Sequence, residues 1–212
     1  MSKIVLYDYA RSSAAYRVRI GLNLKGVDYE SREVNLLDSE QKGEAYRAIN
    51  PQRLVPMLEV DGQRITQSLA ILVYLDQTMP DPPLMPRDPA NGAHVRAMAM
   101  VVACDIHPLN NLRVLKYLSG LGLDQAQRDT WYAHWISEGL PALEALAAPR
   151  AGDFLFGDTP TLADVCLVPQ LFNARRFKVP LDAFPTLLRA DDNAGKLDAF
   201  AAAHPDRQEA NP

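Results

Sequence analysis

Apolar residues in the first 80 positions follow two spacings: the alternation typical of strands and the three-to-four-residue spacing typical of helices. Gly26 is placed to end the first helix, because glycine readily adopts the left-handed conformation that closes a helix. The predicted elements, in order, are a strand at Ile4–Tyr9, a helix at Ser13–Lys25, a strand at Tyr29–Asn35, a short helix near Gln41–Ala48, strands at Met57–Val60 and Gln63–Thr66, and a helix through Leu69–Leu75.

This order, a β-α-β unit followed by β-β-α, is the thioredoxin-like arrangement of an α/β domain. The pattern changes at residues 80–92, where five prolines oppose both helix and strand. Beyond them the spacing is helical, which predicts an all-α bundle. The sequence therefore predicts a thioredoxin-like domain at 1–80, a proline-rich linker at 81–92 and a helical domain at 93–212. Its helices are expected at Ala93–Asp105, Leu109–Leu118, Gln125–Ala147 and Leu162–Phe177, with kinks or breaks at Pro108, Pro141 and Pro169.

Composition narrows the possible functions. The 212 residues carry 22 basic and 26 acidic side chains, so the net charge of −4 offers no general attraction for nucleic acid or an anionic membrane. Cys104 and Cys166 are far apart and predict neither a disulfide framework nor a zinc site. The first residues lead directly into a strand pattern and do not resemble a signal peptide, so the cytoplasm is the expected location.

The segment 50–68 predicts a docking site for a small peptide. Asp61-Gly62 suits a type I′ turn between two strands, and Val55-Pro56 suits a turn with a cis bond that leaves the Val55 backbone free to pair with an extended peptide. Ser68 is expected to cap the following helix, whose N-terminal N–H groups can hold a carboxylate.

A second candidate lies where the first strand meets the first helix, at Ser12 and Ser13. The loop contains no cysteine for redox chemistry, but a hydroxyl at a helix start can donate a hydrogen bond to a thiolate from another molecule. Taken alone, this segment more simply predicts an N-cap. The peptide-docking segment downstream favours the functional interpretation.

Together these motifs resemble the zeta-class glutathione transferases, a class that includes maleylacetoacetate and maleylpyruvate isomerases. The resemblance extends over nearly the whole chain. The segments that carry it are 12–20, 50–56, 67–71, 105–111, 157–164 and 167–177. One departure is Ala14, which stands where the family often has cysteine and leaves the loop without a protein thiol.

The resemblance implies the glutathione transferase fold, glutathione as cosubstrate and a homodimer. It also implies that Ser12 lies near the glutathione sulfur, that Val55 pairs with the cysteinyl backbone, and that Gln67 and Ser68 hold the γ-glutamyl end. The other positions that it places at the glutathione site are Ser13, Arg17, Gln41, His107, Asn111 and Arg113.

For Arg17 and Gln41, solvated helix residues or ion-pair partners are equally open interpretations. A dicarboxylate substrate on an acidic protein needs guanidinium partners. Arg11 and Arg176 are the candidates, with Arg113 as a third, and the resemblance supports them. Arg175 is expected to be solvated or paired with an aspartate.

The leading hypothesis is isomerisation of maleylacetoacetate to fumarylacetoacetate, by reversible addition of the glutathione thiolate to the cis double bond. His107 is then expected either to bind glutathione or to move a proton. The alternatives are maleylpyruvate isomerisation, a general conjugating or dehalogenating transferase, and a non-catalytic glutathione-binding module.

Four further residues are assigned to folding. Thr161 and Asp164 have the spacing of a capping box, so Asp164 is expected to be buried and to contribute to stability. Trp131 and Trp135, four positions apart on a predicted helix, are expected to pack in the core or between domains.

Overall fold

A computed structural model describes residues 3–208. The chain forms two compact units, one containing residues up to Pro83 together with the segment from Lys196, and the other spanning Leu84–Gly195. Among the described residues, the helices are all too short or too polar to cross a membrane.

The first unit contains a four-stranded sheet in the order β2-β1-β3-β4. The central strand β1 pairs parallel with β2 and antiparallel with β3, and β3 pairs antiparallel with β4. This mixed sheet confirms the predicted thioredoxin-like arrangement. Its strands are β1 (Ile4–Asp8), β2 (Glu30–Glu33), β3 (Met57–Val60) and β4 (Gln63–Thr66), and its helices are α1 (Ser13–Leu24), α2 (Glu44–Ile49) and α3 (Ser68–Thr78), with a 3₁₀ turn at Glu40–Lys42.

The apolar side chains of β1 bury both faces of this sheet, because successive residues of a strand point to opposite sides. Ile4 and Leu6 belong to the cluster that includes residues of α1 and α3. Val5 and Tyr7 belong to the opposite cluster, which includes Tyr46 of α2. Both faces of β1 are therefore covered by helices and neighbouring strands of the same unit.

The turn between β3 and β4 has the predicted form. Asp61 and Gly62 both have positive φ angles, of 51° and 75°, as a type I′ turn requires. The Val55-Pro56 peptide bond is cis, as expected from the sequence.

The second unit is helical, which confirms the predicted bundle. Its helices are α4 (Pro89–Met100), α5 (Leu112–Gly120), α6 (Gln125–Ala147), α7 (Leu162–Arg176) and α8 (Pro185–Gly195), with a π-helical segment at Val101–Ile106 and a 3₁₀ turn at His107–Asn110 between α4 and α5.

The three helical prolines behave differently. The regular α-helix has ended before Pro108, as predicted, but α6 continues through Pro141 and α7 through Pro169. Neither Pro141 nor Pro169 therefore breaks its helix, and a kink at these two positions stays a prediction. In α6, Leu140 and Leu143 are fully buried on either side of Pro141 in the sequence. The free energy of burying such residues offsets the backbone hydrogen bond that the proline removes.

The last helix, α9 (Asp198–Ala203), belongs to the first unit. The Arg19 guanidinium donates to the Ala203 carbonyl oxygen at 3.0 Å and to both carboxylate oxygens of Asp8 at 2.7 and 2.9 Å. Asn23 donates to the Ala199 carbonyl at 2.9 Å. The bonds to Ala203 and Ala199 tie α9 to α1, and the bonds to Asp8 tie α1 to β1.

The observed division therefore differs from the predicted one. The second unit ends at Gly195, whereas the predicted helical domain covers 93–212, and α4 begins at Pro89, within the predicted linker of 81–92. Residues 1–2 and 209–212, at the ends of the predicted domains, lie outside the described range.

Asp164 fills the predicted capping box at the start of α7. Its Oδ2 accepts hydrogen bonds from the backbone N–H and the hydroxyl of Thr161, at 2.7 and 2.8 Å, and its Oδ1 accepts from the Leu155 N–H at 2.8 Å. The side chain is fully buried, and this burial raises its pKa to about 6 against the opposing effect of these bonds.

Candidate functional site

Ser12 is the N-cap of α1. Its Oγ accepts a hydrogen bond from the Ala15 N–H at 3.3 Å, and its own N–H donates to the Tyr9 carbonyl at 2.8 Å. A hydroxyl that accepts through its oxygen still carries a proton to donate, and within residues 3–208 that proton has no acceptor. The half-buried Ser12 therefore combines the cap with a free donor at the positive end of a helix.

The main chain of Val55 is held rigidly and yet left unpaired. Asn50, fully buried, donates to the Leu54 carbonyl at 2.7 Å and accepts from the Gln52 N–H at 3.0 Å, while the Tyr46 hydroxyl donates to the same Leu54 carbonyl at 2.8 Å. Across the described part of the chain, the N–H and the C=O of Val55 form no hydrogen bond. Such a backbone can pair with a short extended peptide.

At the start of α3 the structure corrects one expectation. Ser68 is the first helical residue, and the cap position belongs to Gln67, whose side chain makes no capping hydrogen bond. The Ser68 hydroxyl instead accepts from Nη1 of Arg17 at 3.3 Å. Gln67 has a φ of 72°, a left-handed value that is rare for a residue with a side chain and that concentrates at ligand sites.

Arg17 and Gln41 are both buried, with exposed fractions of 2% and 8%, which excludes the solvated interpretation. Arg17 places its positive charge beside Ser68, where the unsatisfied N–H groups of α3 also favour an anion. The buried Oε1 of Gln41 accepts no hydrogen bond from any described residue. A ligand N–H would remove the free-energy cost of that unsatisfied acceptor.

Three predicted site residues of the second unit lie close together along the chain. His107 opens the 3₁₀ turn, and Asn111 is the N-cap of α5, where its Oδ1 accepts from the Arg113 N–H at 3.0 Å. Asn111 thus has a structural role as well as a predicted one. The Arg113 side chain is exposed, as is that of Arg11 in the turn before α1.

Arg176 and Arg175, at the end of α7, differ in their partners. Arg175 forms an ion pair with the mostly buried Asp191 at 2.6 Å, as expected from the sequence. Arg176 is exposed, its guanidinium carbon lies 5.6 Å from the centre of the Phe177 ring, and no carboxylate of residues 3–208 forms an ion pair with it. Arg176 is therefore the member of this pair that is available to a carboxylate ligand.

Family models match both parts of the chain. The N-terminal domain of glutathione S-transferase matches residues 11–78, and the C-terminal domain of glutathione S-transferase matches residues 125–205. The chain belongs to the glutathione S-transferase family. The chain is 49% identical to the maleylacetoacetate isomerase of Rhizobium meliloti over 97% of its own length and 98% of the relative. It is 48% identical to the maleylpyruvate isomerase of a Ralstonia species, over 96% and 97% of the two chains.

Solved structures agree with this assignment. The holo structure of a bacterial zeta-class maleyl pyruvate isomerase matches this chain with a TM-score of 0.95 and 46% identity, over 98% of this chain and all of the other. A maleylacetoacetate isomerase from Anaeromyxobacter dehalogenans, with glutathione bound in its active site, matches with a TM-score of 0.90 and 46% identity, over 100% and 99%. The same enzyme with bound dicarboxyethyl glutathione and citrate matches at 0.88 and 45%, over 100% and 98%. The predicted zeta-class resemblance is confirmed.

The sequence analysis did not identify the residues that support the candidate site. Tyr46 and Asn50 received no role, although together they hold Leu54 and therefore Val55. The signal available was Asn50 before Pro51, because asparagine commonly bonds the backbone two residues further along in a turn. Nothing in the local sequence indicates that Tyr46 bonds to Leu54.

Proposed function

We propose that this protein is a glutathione-dependent cis–trans isomerase that converts maleylacetoacetate to fumarylacetoacetate. The observation that carries the proposal is the unpaired Val55 backbone, in the same compact unit as the Ser12 hydroxyl and the Arg17–Ser68 pair. These groups suit the parts of glutathione, which has a central peptide backbone, a thiol and an α-carboxylate. The names of the two relatives described above support the choice of reaction.

The chain's own residues would hold glutathione as follows. The N–H and C=O of Val55 pair with its cysteinyl backbone. Ser68, Gln67 and the buried Arg17 receive the γ-glutamyl carboxylate at the start of α3. Gln41, Ser13, His107, Asn111 and Arg113 are assigned to the same ligand by resemblance, and Gln41 in addition has an acceptor atom to satisfy.

Bound glutathione supplies a thiolate that adds to the cis double bond of the diacid and leaves after rotation about the resulting single bond. A free thiol has a pKa of ~8.5, so the thiolate needs stabilisation near neutral pH. The Ser12 hydroxyl provides a hydrogen bond, and the N-terminus of α1 provides a partial positive charge. Because Ala14 is not a cysteine, no protein thiol in this loop competes for the double bond.

The diacid requires positive partners of its own. We assign its carboxylates to Arg11 and Arg176, with Arg113 as a third candidate, and we assign proton movement or glutathione binding to His107. The dicarboxyethyl glutathione bound by the Anaeromyxobacter dehalogenans enzyme supports this assignment. It carries two carboxylates on a group attached to glutathione, so its charges resemble those of the proposed reacting pair.

An absorbance assay tests the function. The enol absorbance of maleylacetoacetate and of maleylpyruvate is followed with and without glutathione, using purified protein. We expect glutathione-dependent loss of the maleylacetoacetate signal. Full turnover without glutathione would overturn the proposal.

Two other results, one from this assay and one from this assay combined with a glutathione-resin binding test, would replace the proposal. Maleylpyruvate isomerisation is the second candidate, because the two relatives are 49% and 48% identical to this chain; a higher kcat/KM for maleylpyruvate would select it. Binding to a glutathione resin without turnover of either diacid would select a binding module or a transferase for other acceptors.

Arg176→Ala is expected to raise the KM for the diacid by about 10- to 100-fold, because a charge-assisted hydrogen bond contributes about 1.5–3 kcal/mol. The KM for glutathione should change little. Initial rates with each substrate varied in turn would measure both constants.

The adjacent Arg175→Ala is the matched control. It leaves the mostly buried Asp191 without its ion-pair partner, so it should lower the melting temperature while the KM for the diacid is retained. The assignment of Arg176 to the diacid would be wrong if Arg175→Ala raised that KM and Arg176→Ala did not.

We also propose a cytoplasmic homodimer, as the resemblance to glutathione transferases implies. Light scattering after size-exclusion chromatography should give a mass near twice the 23.5 kDa of one chain. A mass of one chain at micromolar concentration would contradict the dimer.

A further inference from the structure

The second unit contains a π-helical segment, Val101–Ile106, directly before His107. The His107 N–H bonds to the Val102 carbonyl, five residues earlier, instead of the four of an α-helix. Such segments are rare, and they frequently lie at functional sites because the wider turn changes the direction of the residues that follow. His107, Asn111 and Arg113 all follow this segment within seven positions. Its geometry therefore sets the direction in which the chain enters the 3₁₀ turn that begins at His107.

One residue of α6 leaves room for this segment. A Cβ atom on Gly139 would lie 2.4 Å from Cγ1 and 2.5 Å from Cδ1 of Ile106, the last residue of the π segment. Ile106 is 1% exposed, so its side chain has no solvent space to move into. Any side chain at 139 must then move the Ile106 side chain or the π segment that carries it, directly before His107.

The next turn is joined to the same helix. The indole N–H of Trp131 donates to the Leu109 carbonyl at 2.9 Å, and Asn110 donates through Nδ2 to the Tyr132 carbonyl at 3.1 Å. Trp131 thus makes a specific polar contact in addition to the packing expected from the sequence. The turn His107–Asn110 is held by α6 on both sides of Pro108, through Ile106 before it and through Leu109 and Asn110 after it.

We infer that two residues of α6, Gly139 and Trp131, are positioning residues. They hold His107 where it can bind glutathione or move a proton. The inference rests on the proposed function for the role of His107. It adds two requirements: position 139 must carry no side chain, and the Trp131 indole must donate its hydrogen bond. Both are needed for the glutathione affinity and the isomerisation rate that depend on His107.

A double-mutant cycle tests it with wild type, Gly139→Ala, His107→Ala and the double variant. The readouts are the dissociation constant of glutathione by titration calorimetry, and kcat/KM of the isomerisation. We expect Gly139→Ala to lower kcat/KM by about 10- to 100-fold, as small misplacements do, and to weaken glutathione binding. In the His107→Ala background the same substitution should have little further effect. Equal effects in both backgrounds would show a general loss of structure and overturn the inference.

Two further variants keep the test decisive if Gly139→Ala folds poorly. Ile106→Ala removes the atoms that a new Cβ would meet, so Gly139→Ala combined with Ile106→Ala should recover most of the activity lost by Gly139→Ala alone. Trp131→Phe keeps an aromatic ring but removes the donor to Leu109, and should weaken activity in the same direction by a smaller factor.

Trp135→Phe is the matched control for Trp131→Phe. The buried Trp135 indole N–H has no hydrogen-bond partner in the described chain, so its loss should leave glutathione affinity and kcat/KM unchanged. Equal losses for Trp131→Phe and Trp135→Phe would overturn the inference. Wild-type turnover without glutathione would overturn the proposed function instead, and the calorimetric cycle would still report on positioning.

Discussion

Ser12→Ala should lower kcat of the isomerisation by about 10- to 100-fold while the KM for the diacid changes little. The hydroxyl that Ser12 can donate is expected to stabilise the glutathione thiolate, and a hydrogen bond to a charged group contributes about 1.5–3 kcal/mol. Its loss should also raise the pKa of the bound thiol. Titration of the ultraviolet absorbance of the thiolate in the complex measures that change independently of turnover.

The cap formed by Ser12 complicates this variant, because removing a capping side chain costs about 1 kcal/mol of stability. Ser12→Asp separates the two roles. A carboxylate can still accept from the Ala15 N–H, but it has no proton to donate and repels a thiolate. We expect Ser12→Asp to keep the melting temperature and lose activity, and Ser12→Thr to retain both. Full activity in Ser12→Asp would show that Ser12 is only a cap.

Asp164→Ala should lower the free energy of unfolding by about 2 kcal/mol or more at pH 7, because it leaves the buried N–H groups of Leu155 and Thr161 without an acceptor. Denaturant titration measures the change. Asp158→Ala is the control, since Asp158 is exposed and its Oδ1 accepts one exposed bond, from the Asp153 N–H. Asp158→Ala should lower the free energy of unfolding by less than about 1 kcal/mol, because the bond that it removes is exposed to water. Equal stability of wild type and Asp164→Ala would refute the capping role.

The raised pKa of Asp164 determines how the stability loss in Asp164→Ala should change with pH. Burial raises the pKa from 3.8 to about 6, so between those values the folded protein binds more protons at Asp164 than the unfolded chain does. The contribution of Asp164 to stability is therefore largest below pH ~4 and declines as pH rises through ~6. The difference in unfolding free energy between wild type and Asp164→Ala should be larger at pH 4 than at pH 7. A difference that grew with pH would contradict this pKa.

Some elements could be read from neighbouring residues alone. The bounds of β3 and β4 match the prediction because Asp61-Gly62 fixes both the turn type and the strand register. Helix α6 also matches the prediction, from Gln125 to Ala147, and a capping box between Asp124 and Gln127 fixes its start. The candidate groups Ser12 and Val55 were found in the same way, since each depends on a motif a few residues long.

Other features depend on residues distant in sequence. Ser68 is well suited to cap a helix, yet its hydroxyl bonds to Arg17, 51 positions away. The apolar spacing of residues 93–105 predicts an ordinary helix, and nothing in that spacing distinguishes the π segment that packs against Gly139. The return of α9 to the first unit rests on bonds from Arg19 and Asn23, across more than 170 residues.

The sequence by itself therefore determined the fold class, the family and the chemical groups offered to glutathione, because turn, cap and periodicity preferences act between near neighbours. Tertiary structure decided which of those groups are buried, which are already bonded and which remain available. Arg175 and Arg176 are adjacent and chemically identical, and only the position of Asp191 leaves one of them available to a substrate. Burial and pairing depend on contacts between distant segments, so they are settled only when the chain has packed.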